Sequence, residues 1–138
     1  MANELTFDSG FPISLPFTLQ NPAAAATTAM VGASAAAVSG YVVPTGYKFH
    51  PMLIMASSNA DLTAGTAIFK VSDNGTVIAG GPEATLSDPT QRAAAVQRPG
   101  AAPIIAGHVV GVSIVTDAGY LPVTADHDAI LCGVLLPA

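Results

Sequence analysis

Charge is what this sequence has least of. Only 9% of its 138 residues are Asp, Glu, Lys or Arg, against roughly 25% in an ordinary soluble domain. The cations are Lys48, Lys70, Arg92 and Arg98, set against nine Asp and Glu, for a formal net charge of −5. No basic stripe is available to neutralise phosphates, so direct nucleic-acid binding is not expected. Tryptophan is absent and the tyrosines are Tyr41, Tyr47 and Tyr120, which leaves few rings for stacking on a ligand. Cys132 is the single cysteine. That excludes an internal disulfide, and its setting in "AILCGVLL" reads as a packed thiol. A membrane-spanning run is also missing. Mean hydropathy is +0.54 and Ser9 to Tyr47 holds no charge, yet Pro12, Pro16, Pro22 and Pro44 break that stretch into pieces rich in Ala, Ser, Thr and Gly. Spanning by a helix needs about 20 strongly apolar residues. The start, "MANELTFDSG", puts no basic residue ahead of an apolar block, so the expectation is a protein made in the cytoplasm without a secretory signal.

Against these absences stands a hydrophobic fraction of 51%. The length suits one domain with a real core. With so little charge to cover the outside, much of the surface is expected to be hidden against other chains.

The pattern along the chain is that of strands. In "GFPISLPFTLQ", Phe11, Ile13, Leu15, Phe17 and Leu19 recur at every second position, the period of an extended strand. Pro12 and Pro16 fall on the alternate positions, so both missing N–H groups lie on one edge, and that edge is blunted against further pairing. Such a segment is either an extended arm laid on a neighbour or the first edge strand of its own domain. "NPAAAATTAMVGASAAAVSG" then reads as a spacer of small residues, giving an arm and spacer over 1–40 and a β-sandwich body over 41–138. In the body, short strands alternate with turn residues. "GTAIFKVSDNGTVIAG" is a hairpin closed by Asn74-Gly75, a pair suited to a type I′ turn in which both residues need positive φ. That turn sets Val71 opposite Ile78, both facing inward. Residues 80–107 read as irregular loops around one or two short strands or a helical turn. "HVVGVSIVT" and "AILCGVLLPA" are apolar on both faces, as strands lying between two layers are; the second layer is expected to be another subunit.

Chemistry is scarce. Asp126-His127-Asp128 is the one dense polar group, but on a strand the two carboxylates share a face and His127 points away, which suits a structural role better than joint metal ligation. His50 and His108 open apolar strands. Asp73-Asn74-Gly75 lacks the remaining ligands of a calcium loop, Gly80-Gly81 lacks a phosphate-loop setting, and Ser113 lacks a nucleophile elbow. No enzyme activity, metal or cofactor is expected.

Residues 106–136, "AGHVVGVSIVTDAGYLPVTADHDAILCGVLL", resemble a C-terminal pattern of tailed-phage virion proteins: an "aGd-x-v-x-V-x-v-x-T" strand, a "pttaD" turn and a last apolar strand. "YVVPTGYKF" at 41–49 and "LTAGTAIFKVSDNGTVIAG" at 62–80 are similar to the "vvP-x-g" and "taGt" segments upstream. His108 departs from the pattern, which has an acidic residue there. The resemblance is to capsid decoration (cement, or head auxiliary) proteins of tailed bacteriophages. It implies an all-β, jelly-roll-like antiparallel β-sandwich or barrel with an extended N-terminal arm, commonly a homotrimer fixed to the outside of the head and made in the host cytoplasm. Its partners would be further copies of itself and the major capsid protein, with no nucleic acid or membrane. The arm residues expected to bind the capsid are Leu5, Phe7, Phe11, Ile13, Leu15, Phe17 and Leu19. Those expected at the subunit interface are Val109, Val115, Leu131 and Leu135. The competing expectation is a head-fibre or tail-fibre receptor-binding domain, which would need exposed aromatics or polar clusters in its loops.

Overall fold

The computed structural model describes residues 10–32, 40–96 and 101–138, and every regular element among them is a strand. In chain order these are β1 (Phe11–Gln20), β2 (Thr27–Ala29), β3 (Val31–Gly32), β4 (Tyr41–Val42), β5 (Tyr47–Ser58), β6 (Thr66–Asp73), β7 (Thr76–Val77), β8 (Glu83–Ser87), β9 (Arg92–Val96), β10 (Ile104–Ile105), β11 (Val109–Thr116) and β12 (Asp126–Pro137). They make two antiparallel sheets. The first runs β10-β5-β12-β1-β3, with β9 also on β5; the second runs β2-β11-β6-β7, with β4 on β11 and β8 on β6. The result is a jelly-roll-like β-sandwich.

Local chemistry accounts for the sharpest feature. Asn74 and Gly75 take φ of 51° and 85°, so β6 and β7 close with Ser72 opposite Val77 and Asp73 opposite Thr76. Ile78 then follows opposite Val71, to whose carbonyl its N–H donates at 3.0 Å. The turn also fastens β11: the Asn74 side-chain oxygen accepts from the Val109 N–H at 2.8 Å, and the Asn74 N–H donates to the Val109 carbonyl at 2.9 Å.

Of the two places open to residues 11–20, the strand occupies its own sheet. It pairs with β12 along its whole length, from Phe11 opposite Leu135 to Gln20 opposite Asp126. Proline has no N–H, so that ladder runs through the odd-numbered residues, whose side chains also carry the apolar row inward. Phe17 is buried, and Phe11, Ile13, Leu15 and Leu19 pack against the core. Leu5 and Phe7 lie outside the described residues. The small-residue stretch that follows supplies a strand to each sheet, β2 on β11 and β3 on β1, with Met30 fully buried between them. A line at residue 40 therefore crosses both sheets.

Between the sheets, Phe17, Phe49, Ile54, Leu131 and Leu135 meet Phe69, Val71, Val110, Val112, Ile114 and Leu86 in one core. Near its end the ladder between β5 and β12 slips by one residue, leaving Met52 unpaired between Cys132 opposite Leu53 and Gly133 opposite Pro51. Glycine is required at 133, because a Cβ there would collide with the Phe49 ring and the His50 carbonyl.

Candidate functional site

Strand parity decides which side chains leave the sandwich, and on β12 the parity is set by charge. Asp128 is exposed while His127 is fully buried. Every second residue onward from Asp128 therefore faces out: Ile130, Cys132, Val134 and Leu136. Their neighbours face out as well. Ile130 lies opposite Met55, which lies opposite Ala94; Cys132 lies opposite Leu53, which lies opposite Val96. On the far side, Pro16 flanks Ile130 and Pro12 flanks Val134. The middle of the outward face of the first sheet is thus largely apolar across four strands, with Ser14 beside Cys132 and Ser57 beside Asp128. Met55, Ile130 and Val96 are 39%, 40% and 70% exposed. A shallow depression of about 490 Å³ opens in this face, lined by Met55, Ala94 and Ile130 and bounded by Arg92 and Asp128.

The outward face of the second sheet is built differently. Lys70 on β6 lies opposite Glu83 on β8, and their charged ends are 3.9 Å apart. Around them stand Thr66, Thr85 and Ser87 from the same pair of strands, with the half-buried Ile68 and, on β11, the buried Ser113 opposite Lys70. Thr66 donates its hydroxyl to Asp117 at 3.2 Å.

Polar groups elsewhere serve the fold. Tyr120 and His127 share a buried hydrogen bond of 2.7 Å, and the His127 ring stands edge-on to Phe69 at 5.6 Å. Burial holds the His127 pKa below its ordinary value; the Ser57 carbonyl and the Asp126 and Asp128 carboxylates act the other way. The carbonyl favours the charged ring without meeting hydrogen-bond geometry at Nδ1, which is buried and unpaired. Asp126 begins β12, its N–H bonded to the Asn59 side chain at 2.9 Å and its carboxylate accepting from the Asn21 N–H at 3.3 Å. His108, where the phage pattern has an acid, meets Asp73 at 2.7 Å. The Cys132 sulfur lies 3.5 Å from the Ser14 hydroxyl. Among the described residues, no three His, Cys, Asp or Glu side chains gather where a metal could be held.

The residues expected at an interface are therefore divided. Val109 and Val115 are half-buried on the outward side of the second sheet. Leu131 and Leu135, at 0% and 6% exposed, belong to the chain's own core. Their strand is apolar at both parities, so periodicity alone gives no phase. The outward interface candidates on it are the exposed Ile130 and the half-buried Val134, joined by Met55, Ala94 and Val96 from strands that the sequence pattern did not link to it. Asp126 and Asp128 are the signal that could have found them, since carboxylates mark the wet side of a strand.

No family model matches this chain, and no curated protein sequence matches it. Among solved structures, it is similar to a chain of the cyanophage Pam1 capsid asymmetric unit. The match covers 99% of this chain and 92% of that one, with a TM-score of 0.57 and 14% sequence identity. At that identity the likeness is one of fold.

Proposed function

We propose that this chain is a virion structural protein, which joins the outside of a phage capsid as an oligomer and stabilises the shell by bridging capsid subunits. The observation that carries the reading is the match of almost the whole chain to a chain of a phage capsid unit. Two features support it. The first sheet turns an apolar face outward, on a chain with only 9% charged residues, and such a face is stable when covered. Residues 106–136 also resemble a strand and turn pattern of tailed-phage virion proteins. In this reading the role is structural rather than catalytic, and the oligomer is the trimer common among such proteins. Several linked footholds raise occupancy through effective concentration, so each contact can be weak while the assembly holds. Leu5 and Phe7 stay part of the proposed capsid contact, whereas Phe11 to Leu19 contribute by holding β1 in place.

The fibre-tip alternative asks for exposed aromatics. Tyr120 is buried, and Tyr41 and Tyr47 pack against the core, which favours the capsid reading. Co-sedimentation tests it: capsids lacking the protein are mixed with the full chain and pelleted, and the pellets are imaged by cryo-EM. Saturable binding with ordered density on the outer surface is expected. A chain that stays in the supernatant at tens of micromolar overturns the proposal.

A further inference from the structure

The outward face of the first sheet has a charge pattern that matches its own mirror order. Along β9 the outward residues are Arg92, Ala94 and Val96; along β12 they are Asp128, Ile130 and Cys132. In between, β5 places Ser57 between Arg92 and Asp128, and Met55 between Ala94 and Ile130. At roughly 4.8 Å per strand, β9 and β12 stand about 10 Å apart. A two-fold axis parallel to β5 and lying above it exchanges these two lines. Arg92 of one copy then sits over Asp128 of the other, and the large Ile130 sits over the small Ala94, where the depression bounded by Arg92 and Asp128 has room for it. Cation meets anion and large meets small, twice per contact. Arg92 and Asp128 are both exposed, and neither side chain forms an ion pair or hydrogen bond with a described residue of its own chain.

We propose that this face is an isologous interface, buried against the same face of a second copy of the chain. The inference rests on the reading of the chain as self-associating and names the contact. A two-fold contact of this kind closes on itself, and it is separate from any three-fold contact that a trimer needs. Met55 and Ile130 are its apolar anchors, and Arg92 and Asp128 fix its register.

The test is mass against concentration by analytical ultracentrifugation of the full chain. Ile130→Glu places a carboxylate at an already exposed position, so the fold is retained, as checked by circular dichroism. It is expected to weaken the pairwise association by about 30-fold or more. A second arm needs no apolar change. Arg92→Asp alone makes the row all acidic and Asp128→Arg alone makes it all basic; each is expected to associate less than the parent, and an equimolar mixture of the two to recover association. An unchanged mass curve for Ile130→Glu, or a mixture that associates no better than its components, overturns the proposal, as does a parent chain that stays monomeric at tens of micromolar. Co-sedimentation of the same variants with capsids separates the two readings. A chain that pellets without pairing removes only this contact, and a chain that pairs without pelleting removes only the capsid role.

Discussion

The two sheets are alike within and unlike without. Inside, each contributes large aliphatic and aromatic side chains to one core. Outside, the second sheet has Thr66, Thr85, Ser87 and the Lys70–Glu83 pair on β6 and β8, with Val109 and Val115 on β11, while the middle of the first shows Met55, Val96, Ile130 and two prolines, with Arg92 and Asp128 at one end. On the first sheet the charges Arg92 and Asp128 stand at one end of an apolar middle, whereas on the second the Lys70–Glu83 pair stands among hydroxyls. In the proposed assembly the first face is covered and the second stays in water.

The largest expected effect breaks the comparison at neighbouring residues of one strand. Leu131→Ala empties a fully buried site in the core between the sheets and is expected to lower unfolding stability by about 2–5 kcal/mol. Ile130→Ala, one position away on the exposed side, is expected to change the stability of the isolated chain by about 0.5 kcal/mol or less. Urea denaturation at low protein concentration measures both. Equal losses at the two positions would mean that the outward face is packed within the chain itself.

A smaller effect comes from an imidazole buried in the core. His127 is fully buried beside Phe69 and Tyr120, and burial holds it neutral by lowering its pKa from 6.5. A base whose folded pKa is depressed binds fewer protons folded than unfolded, so its contribution is intact above pH 6.5 and declines as pH falls below that value. His50, lowered by burial and by Lys48, adds in the same direction. Thermal unfolding from pH 7.5 to 5 is expected to show a falling midpoint, with a shallower fall in His127→Gln. Parallel curves for the two chains would place the acid sensitivity elsewhere.

How much of this was legible in the sequence varied with the range of the forces involved. The Asn74-Gly75 hairpin could be read because turn chemistry is local: two positive φ values are needed, and these residues tolerate them. The alternation of β1 was equally plain; the edge that the prolines blunt is not free, however, because β3 pairs there beside Phe17 and Thr18. Whether that strand lay on its own sheet or a neighbour's depended on β12, more than a hundred residues away, which periodicity cannot report. The alanine-rich stretch looked like a spacer because small residues have weak preferences; β2 and β3 exist through pairing with β11 and β1. On β12 the apolar run hid the phase, since Ile130 and Leu131 are equally apolar and the sides are distinguished by the carboxylates of Asp126 and Asp128 at its start. The apolar face was the least visible of all. Its members come from β5, β9 and β12, and only the sheet register brings Ala94, Met55 and Ile130 into one row.

The smallest expected effect sharpens the comparison from the wet side. Lys70→Gln removes the charge facing Glu83 while keeping much of the aliphatic stem on the second sheet. The charged ends are 3.9 Å apart and each side chain is more than a fifth exposed, at 25% and 29%, so solvent screens the attraction and its loss is expected to lower stability by under about 1 kcal/mol. Raising the salt to 0.5 M should shrink the difference further, since the screening length falls to a few ångströms. Sedimentation of Lys70→Gln should match the parent, because the proposed assembly leaves this face in solvent. A substitution here that changed the oligomer mass while sparing stability would assign the contact to the second sheet, and the division between a face for water and a face for protein would have to be reversed.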